Sequence, residues 1–453
     1  MTHTDTDQTP CGAPEREGIA GLTRWYDAQD HTARRSLRAL ADLLNNIPAP
    51  LDQRDAFKDF LEGVLGAPAR ELITETHQLS GPSRVAVGLA IAELLTEHQP
   101  QIGPYSFNPE PPRWETLTAD EDTYHFPTDL ALFCNTVIPA LDAVVVIHRT
   151  ATLNANATLE IYVRPADHHR GRALIEQITA RADELHIFRG RVLNATSGPC
   201  GLEFEITSRP TSSRSKIIAT DDIWDEIDLN VHAVTTHSAM MKTLGLGVRR
   251  GVLLAGPPGV GKSAITSVIA AELAGRFTVV YCDSRSGSAL LRNIFDECVR
   301  LGPSLVVIED VDLIVSRRNG TGFSNHALSE FLTALDSHSG APLLVMATTN
   351  DVTTLDSAAV RAARFDSIIE VTYPTAAVAQ QILAALLHDI PVAAHIDTRA
   401  VITMLPADTS GADIREIVRR AVLKTQPLTT QALQAQIRSG RYRPTMPDNG
   451  NYL

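Results

Sequence analysis

The chain has 453 residues, material for roughly two to four domains. It is 44% hydrophobic and 21% charged with a formal net charge of -13, an ordinary globular balance that carries no basic stripe for duplex nucleic acid. Its five cysteines, Cys11, Cys134, Cys200, Cys282 and Cys298, are scattered and never spaced C-x-x-C, which argues against a disulfide framework or zinc site and for a reducing cytoplasm.

The polar, acidic start MTHTDTDQTP does not have the pattern of a signal peptide, and residues 1–20 are expected to be a disordered tail. A helical domain is expected over 21–105. Leu37, Leu40, Leu43, Leu44 and Ile47 recur at helical spacing and Pro48 ends the run. Further helices are expected over Asp55 to Leu65 and Pro82 to His98. The longest apolar-leaning run, Val85 to Leu95, falls short of the ~18 residues of a membrane span, so none is expected. The proline-rich QPQIGPYSFNPEPPRWE reads as a linker.

A small α+β domain is expected over 115–212. TLEIYVRP and LEFEIT alternate apolar and polar residues as half-buried strands, and Leu174, Ile178 and Leu185 mark a helix between them. His168 and His169 are expected in a solvated loop. A second linker, TSRPTSSRSKIIATD, follows. From 216 to 374 the pattern becomes strand, loop, helix, repeated, with strands at GVLLAG, FTVVYCD, SLVVIED, LLVMATTN and SIIEVTY. That predicts a mostly parallel sheet with crossover helices. Residues 375–438 read as a helical lid and 439–453 as a flexible tail.

Gly256, Pro257, Pro258, Gly259, Val260, Gly261, Lys262 and Ser263 spell GPPGVGKS between an expected strand and an expected helix. Glycines let backbone N–H groups curl around phosphate oxygens, and the helix start adds its positive dipole end. Lys262 would reach the β- and γ-phosphates, and the Ser263 hydroxyl would hold Mg2+.

The stretch LGLGVRRGVLLAGPPGVGKSA, through Ala264, resembles the AAA+ ATPases, specifically the AAA branch, and the resemblance continues in order to about Ala421. It implies an α/β P-loop NTPase, an AAA+ parallel sheet plus helical lid, here preceded by the helical segment and the α+β domain. ATTN ends on Asn350, which the resemblance makes a residue that orients the attacking water. In LDSAAVRAARFD, Arg361 and Arg364 fall on a pair that enters a neighbouring subunit's site. The match of SGADIREIVRRA implies that Gly411 and Ala412 line the adenine pocket, and Ile223 of DDIWDEI falls where the family has a residue near the adenine. Trp224 stands where the family carries a small residue.

LVVIEDVD, at 305–312, sets the roles of the acids. Four apolar residues precede Glu309, which puts Glu309 at the Mg2+ position and Asp310 at the water position; Asp312 matches a third family acid. The same order occurs in the mitochondrial Rieske-protein translocase branch, which this run resembles. In the rival register Asp310 is the metal acid and Val311 takes the water position, giving ATP binding with little turnover.

The resemblance thus implies ATP with Mg2+ as ligands, ATP hydrolysis, and a homo-oligomeric ring, expected to be a hexamer, that remodels an unknown protein substrate. The alternatives are a nucleotide-gated binding scaffold and a proteasome-associated unfoldase. YCDSRSGSALLRNIFDE lacks the aromatic-apolar-Gly triplet of peptide-gripping loops, and Arg317, Arg318 and Phe323 lie in a later exposed loop. The ending GNYL resembles the tail of actinobacterial proteasomal ATPases, which implies docking on a proteasome core through Tyr452 and Leu453.

Overall fold

The structure is a computed structural model that describes residues 55–108, 110–149, 157–198, 201–282, 287–311, 342–350, 365–388, 390, 395–424 and 428–443, and Ala33 ahead of them. The helix expected over 31–47 lies outside this set apart from Ala33, as do Asp312, Arg317, Arg318, Phe323, Arg361, Arg364, Tyr452 and Leu453.

Two sheets organise the described residues. The first contains β1 (Ile73–Leu79), β2 (Gln101–Gly103), β3 (Arg113–Ala119), β4 (Asp122–Cys134), β5 (Ala143–Arg149) and β6 (Ala157–Val163). Its pairs are antiparallel, in the order β1-β6-β5-β4-β2, with β3 also on β4. β5 opens AVVVI, apolar at every position, because helices cover both of its faces. Val144 and Val146 pack with Leu61 and Leu65 of α1 (Ala56–Leu65). Val145 and Ile147 pack with Val87 and Ile91 of α2 (Gly81–His98) and with Leu174 and Ile178 of α3 (His168–Glu184). Asp55 caps α1 by accepting from the Lys58 N–H at 3.0 Å, and Ser80 caps α2 by accepting from the Ser83 N–H at 3.1 Å. Each cap is worth ~1 kcal/mol.

Three expectations change here. The segment read as a linker supplies β2 and the start of β3; its prolines flank an edge strand, where a missing N–H costs no ladder bond. The helical domain expected over 21–105 contains β1, an edge strand whose Thr74, Thr76 and Gln78 are exposed while Glu75 and His77 are half-buried. His168 and His169 open α3 instead of lying in a loop, and the His168 ring hydrogen-bonds Glu75 of β1.

The second sheet contains β7 (Val192–Gly198), β8 (Gly201–Thr207), β9 (Arg249–Ala255), β10 (Thr278–Cys282), β11 (Ser304–Ile308), β12 (Leu343–Thr349) and β13 (Ser367–Glu370), in the order β13-β9-β12-β11-β10-β7-β8. All its pairs are parallel except β7 with β8. One face packs Leu253, Val280, Val306 and Val345 against Ile294 and Phe295 of α7 (Gly287–Leu301). The other packs Val252, Leu254, Val307 and Met346 against Ile265 and Ile269 of α6 (Lys262–Leu273) and Ile227 of α4 (Asp221–Val234). A short α5 (Ser238–Thr243) follows α4. The hairpin β7–β8, expected in the preceding domain, lies on this sheet, with Val192 beside Val279 of β10. The division between the sheets therefore falls after β6 and not at residue 212: Leu202 and Phe204 alternate as expected, but their apolar face meets the core that holds Phe295.

The lid has α8 (Ala376–Leu387), α9 (Thr398–Ile402), α10 (Gly411–Lys424) and α11 (Thr430–Ser439) around Leu383, Val401, Ile417 and Leu433. Among the described residues no helix is long and apolar enough to cross a membrane. Cys134, Cys282 and Cys298 are buried, and burial pushes the thiols of Cys134 and Cys298 up to about 12.

The first sheet's layer is welded to the second. Val85 of α2 and Phe126 of β4 enter the core of the parallel sheet. Beside them, Glu297 of α7 is 4% exposed and accepts from Ser80 Oγ at 2.7 Å, Ser83 Oγ at 3.2 Å and His186 Nε2 at 3.1 Å. Arg300 Nη1 donates to Ser83 Oγ at 2.6 Å. Burial alone would raise the Glu297 carboxyl, but hydrogen bonds from His186 and Ser80 outweigh it and hold the group below the usual carboxylate range. A depressed folded value means this stabilisation is present above the unfolded carboxylate range, near ~4, and is lost as pH falls through the folded value. Glu297→Ala orphans these buried donors and is expected to cost about 3 kcal/mol. Thermal melts should show this as a lowered Tm at neutral pH, with Glu297→Gln losing part of the wild-type decline on acidification. Unchanged melting of Glu297→Ala would contradict the welded interface.

Candidate functional site

Parallel strands end side by side, so the loops leaving their C-terminal ends converge. Thr349 of β12 lies beside Ala255 of β9, and Ile308 of β11 lies beside Ala347 of β12. The segments that start at Gly256, Glu309 and Asn350 therefore share one edge of the sheet.

The Gly256–Gly261 loop is built on backbone that side chains resist. Gly259 has φ 80° and Gly261 φ 111°, in the left-handed region. At Gly256 a Cβ would run into the Val371 carbonyl oxygen. Val260 packs down on the core under α6, while Pro258, Gly259 and Ser263 are exposed and Ala264 is half-buried. Lys262, the first residue of α6, is 6% exposed. Its ammonium donates to the carbonyl oxygens of Gly256 at 2.7 Å and Pro257 at 2.8 Å, and to Asn350 Oδ1 at 2.9 Å.

The two acids differ in surroundings. β11 ends at Ile308, so both stand beyond the strand, and alternation along it does not set their directions. Asp310 takes φ 50°, a left-handed conformation that Asp tolerates better than most residues but still at some cost. Its N–H donates to Thr348 Oγ1 at 3.0 Å, and its Oδ1 accepts from Asn350 Nδ2 at 2.9 Å. Glu309 is exposed. It lies close enough to Tyr281 of β10 to help raise that phenol, which burial raises most, against the opposing effect of a hydrogen bond with Ser267. Sequence reasoning placed Lys262, Asn350 and Asp310 in one site, and the structure joins them. It missed Thr348, whose hydroxyl fixes the Asp310 turn; the only sequence signal is its place in ATTN.

At the other end, the lid meets the loop. The Ala412 N–H donates to the Gly259 carbonyl at 3.0 Å, and a Cβ on Gly259 would sit 2.8 Å from Ser410 Oγ. Ser410 and Asp413 cap α10 reciprocally: the Asp413 N–H donates to Ser410 Oγ at 3.1 Å, and the Ser410 N–H donates to Asp413 Oδ2 at 2.9 Å. Gly411 and Ala412 are thus beside the loop, and Ile223, half-buried near the start of α4, packs on the same core as Val260. Trp224 carries the Arg214 guanidinium over its ring, 4.8 Å from the centroid. The segment read as a second linker is therefore pinned down through Arg214.

Among the described residues no group of three or more His, Cys, Asp or Glu is arranged to hold a metal by itself. One exposed carboxylate and one exposed hydroxyl, Glu309 and Ser263, instead fit an ion such as Mg2+, which is usually held by one or two carboxylates together with substrate phosphates.

Residues 252–373 match the family model "ATPase family associated with various cellular activities (AAA)". The chain is 31% identical over 193 residues to the human ATPase family gene 2 protein homolog B, covering 40% of this chain and 26% of that protein. It is 29% identical over 231 residues to the ribosome biogenesis ATPase RIX7 of Saccharomyces cerevisiae, covering 48% of this chain and 28% of that protein. It is 28% identical over 274 residues to a proteasome-activating nucleotidase of Saccharolobus islandicus, covering 58% of this chain and 67% of that protein. The chain thus spans well under half the length of the human and yeast relatives. A glycine loop before a buried lysine, a parallel sheet and a helical lid agree with the family match, and the chain carries an AAA ATPase domain with the P-loop NTPase fold.

Proposed function

We propose that the chain binds ATP with Mg2+, hydrolyses it, and uses the cycle to remodel a protein or protein complex in the cytoplasm. The observation that carries this reading is the hydrogen-bonded run from Lys262 through Asn350 to Asp310. Phosphoryl transfer is mostly positioning and charge stabilisation, and this run brings both to one place. Lys262 exchanges its carbonyl partners for phosphate oxygens. Bound Mg2+ supplies further neutralisation of the phosphates, with Ser263 and Glu309 as the residues to hold it. Asp310, fixed by Thr348 and Asn350, takes the proton side of the attacking water.

The contact between Asp310 and Asn350 favours this assignment over the rival register. In that register Val311 takes the water position, yet Val311 is 1% exposed within the apolar core. It is also the register that would make the chain a nucleotide-gated scaffold. Arg361 and Arg364 complete the site of a neighbour, which makes the active form a homo-oligomeric ring, a hexamer by family likeness.

Lys262→Ala is expected to remove most ATP binding. Asp310→Asn should keep binding and lose turnover by about 100-fold or more, the usual worth of a positioned base. Arg361→Ala should also lose turnover, and mixing it with Asp310→Asn chains should restore part of it at mixed interfaces. Steady-state ATPase assays read all of these. Normal turnover by Asp310→Asn would reverse the roles of the acids, and no rescue together with an active monomer would remove the shared site.

A second reading has its own support. The matched archaeal relative is by name a proteasome-activating nucleotidase, and the ending GNYL resembles a proteasome-docking tail. In this reading the ring is an unfoldase that docks Tyr452 and Leu453 into a 20S-type core, six tails adding avidity. Deleting these residues should abolish co-sedimentation with the core and leave ATPase activity intact. Binding that survives the deletion, or no binding by the intact ring in ATP, would leave remodelling alone.

A further inference from the structure

One side chain that the reading above does not use ties the end of the lid to the start of α10. Gly440 closes α11, Tyr442 is buried in the lid core, and Arg443 follows it. Nη1 of Arg443 donates to Asp408 Oδ2 at 2.9 Å, and Nη2 donates to the Asp408 carbonyl oxygen at 2.6 Å. Nη2 and Nε also donate to Asp413 Oδ2 at 3.3 and 3.4 Å. The same Asp413 oxygen accepts from the N–H of Ser410, which is 5% exposed. Arg443 therefore grips the segment before α10 on one side of Ser410 and the cap of α10 on the other.

That junction is where the lid touches the glycine loop. The Ala412 N–H, between Ser410 and Asp413 in the chain, donates to the Gly259 carbonyl at 3.0 Å. A trans peptide points its C=O and the following N–H in opposite directions. Holding the Gly259 carbonyl on the lid therefore also fixes where the Val260 N–H points, and backbone N–H groups are what such a loop offers to phosphate. The contacts run without a gap from Arg443 through Asp413 and Ala412 to Gly259. Arg443 is not itself an anion site, because two carboxylates occupy its guanidinium. Its hydrogen bond holds the Asp408 carboxyl below the usual range, so that pair stays charged.

We propose that Arg443 is a positioning residue for the glycine loop: by holding Asp408 and Asp413 around the start of α10, it keeps the Ala412 N–H on the Gly259 carbonyl, and so fixes the loop's peptide planes and slows release of nucleotide. This rests on the reading that the glycine loop binds ATP.

The test uses the full chain and has two arms. The first is hydrogen exchange without nucleotide. Arg443→Ala is expected to speed exchange of the amides over 406–413 and also over 256–261, while β9 and β12 exchange as in the wild type. A role confined to lid stability would leave 256–261 unmoved. The second arm is stopped-flow displacement of a fluorescent N-methylanthraniloyl ADP. Arg443→Ala should release it about three- to tenfold faster, the scale of one partly exposed ion-pair network. Salt screens the pairs, so the ratio of variant to wild-type release should narrow between ~50 mM and ~1 M salt. Ala412→Pro removes the N–H that reaches Gly259 at a position in the first turn, where proline is tolerated. It should release nucleotide at least as fast as Arg443→Ala, and the double variant should be no faster than Ala412→Pro alone, because both act through one bond. Arg443→Lys should recover only part of the effect, because an ammonium cannot span both carboxylates. Asp408→Asn removes one anchor and should give an intermediate change in both arms, which keeps the test intact if Arg443→Ala fails to fold. Exchange changes confined to 406–413, or release rates that multiply in the double variant, overturn the positioning role and leave the nucleotide reading standing. Wild-type protein that binds no nucleotide overturns the nucleotide reading itself and this role with it.

Discussion

Lys262, Asn350 and Asp310 leave three different parallel strands, and each touches the next. That run of two hydrogen bonds, each 2.9 Å, is possible only because β9, β12 and β11 are neighbours in register, so that their ends arrive at one level. A slip of one strand would separate the lysine from the carboxylate. The buried faces of the sheet oppose that slip: Leu253, Val306 and Val345 are committed to one core and Val252, Val307 and Met346 to the other, and a slip would force each set into packing shaped for the other. The site is thus held by hydrophobic registration, while its own backbone accepts strain, with Asp310 at φ 50° and glycines where a Cβ has no room.

The same sheet explains how the chain is joined together. β7 and β8 extend it beyond β10, and the Glu297 network binds α7 to the cap of α2. Helix α7 follows β10, which lies beside β11 and its Glu309–Asp310 end, so the antiparallel layer and the nucleotide edge are connected through one helix. Polar groups do this work at an otherwise apolar boundary because they fix a single orientation, where apolar contacts alone would permit several.

The nucleotide half was legible in the sequence for a physical reason. A phosphate loop needs glycines at fixed spacing, a lysine and a following helix, and parallel strands buried on both faces appear as short apolar runs, as in GVLLAG and SLVVI. The first layer was harder to read. Edge strands such as β1 and β2 carry little apolar pattern, and prolines that flank an edge look like those of a linker. The alternation in LEFEIT identified a strand but not its partner, because the pairing of β7 with β10 is set across the fold and not locally. Arg214 was invisible for the same reason: its partners, Trp224, Asp228 and Glu272, are distributed over two helices.

The account depends on Asn350 and Asp310 acting as one unit, and a double-mutant cycle on ATP turnover measures that directly. If the carboxylate works only while the amide holds it, the double variant Asn350→Ala with Asp310→Asn is no slower than the slower single variant, within about twofold, because coupled groups are non-additive. Losses that multiply would mean that the two residues act independently, and would contradict the hydrogen-bonded run as the core of the site.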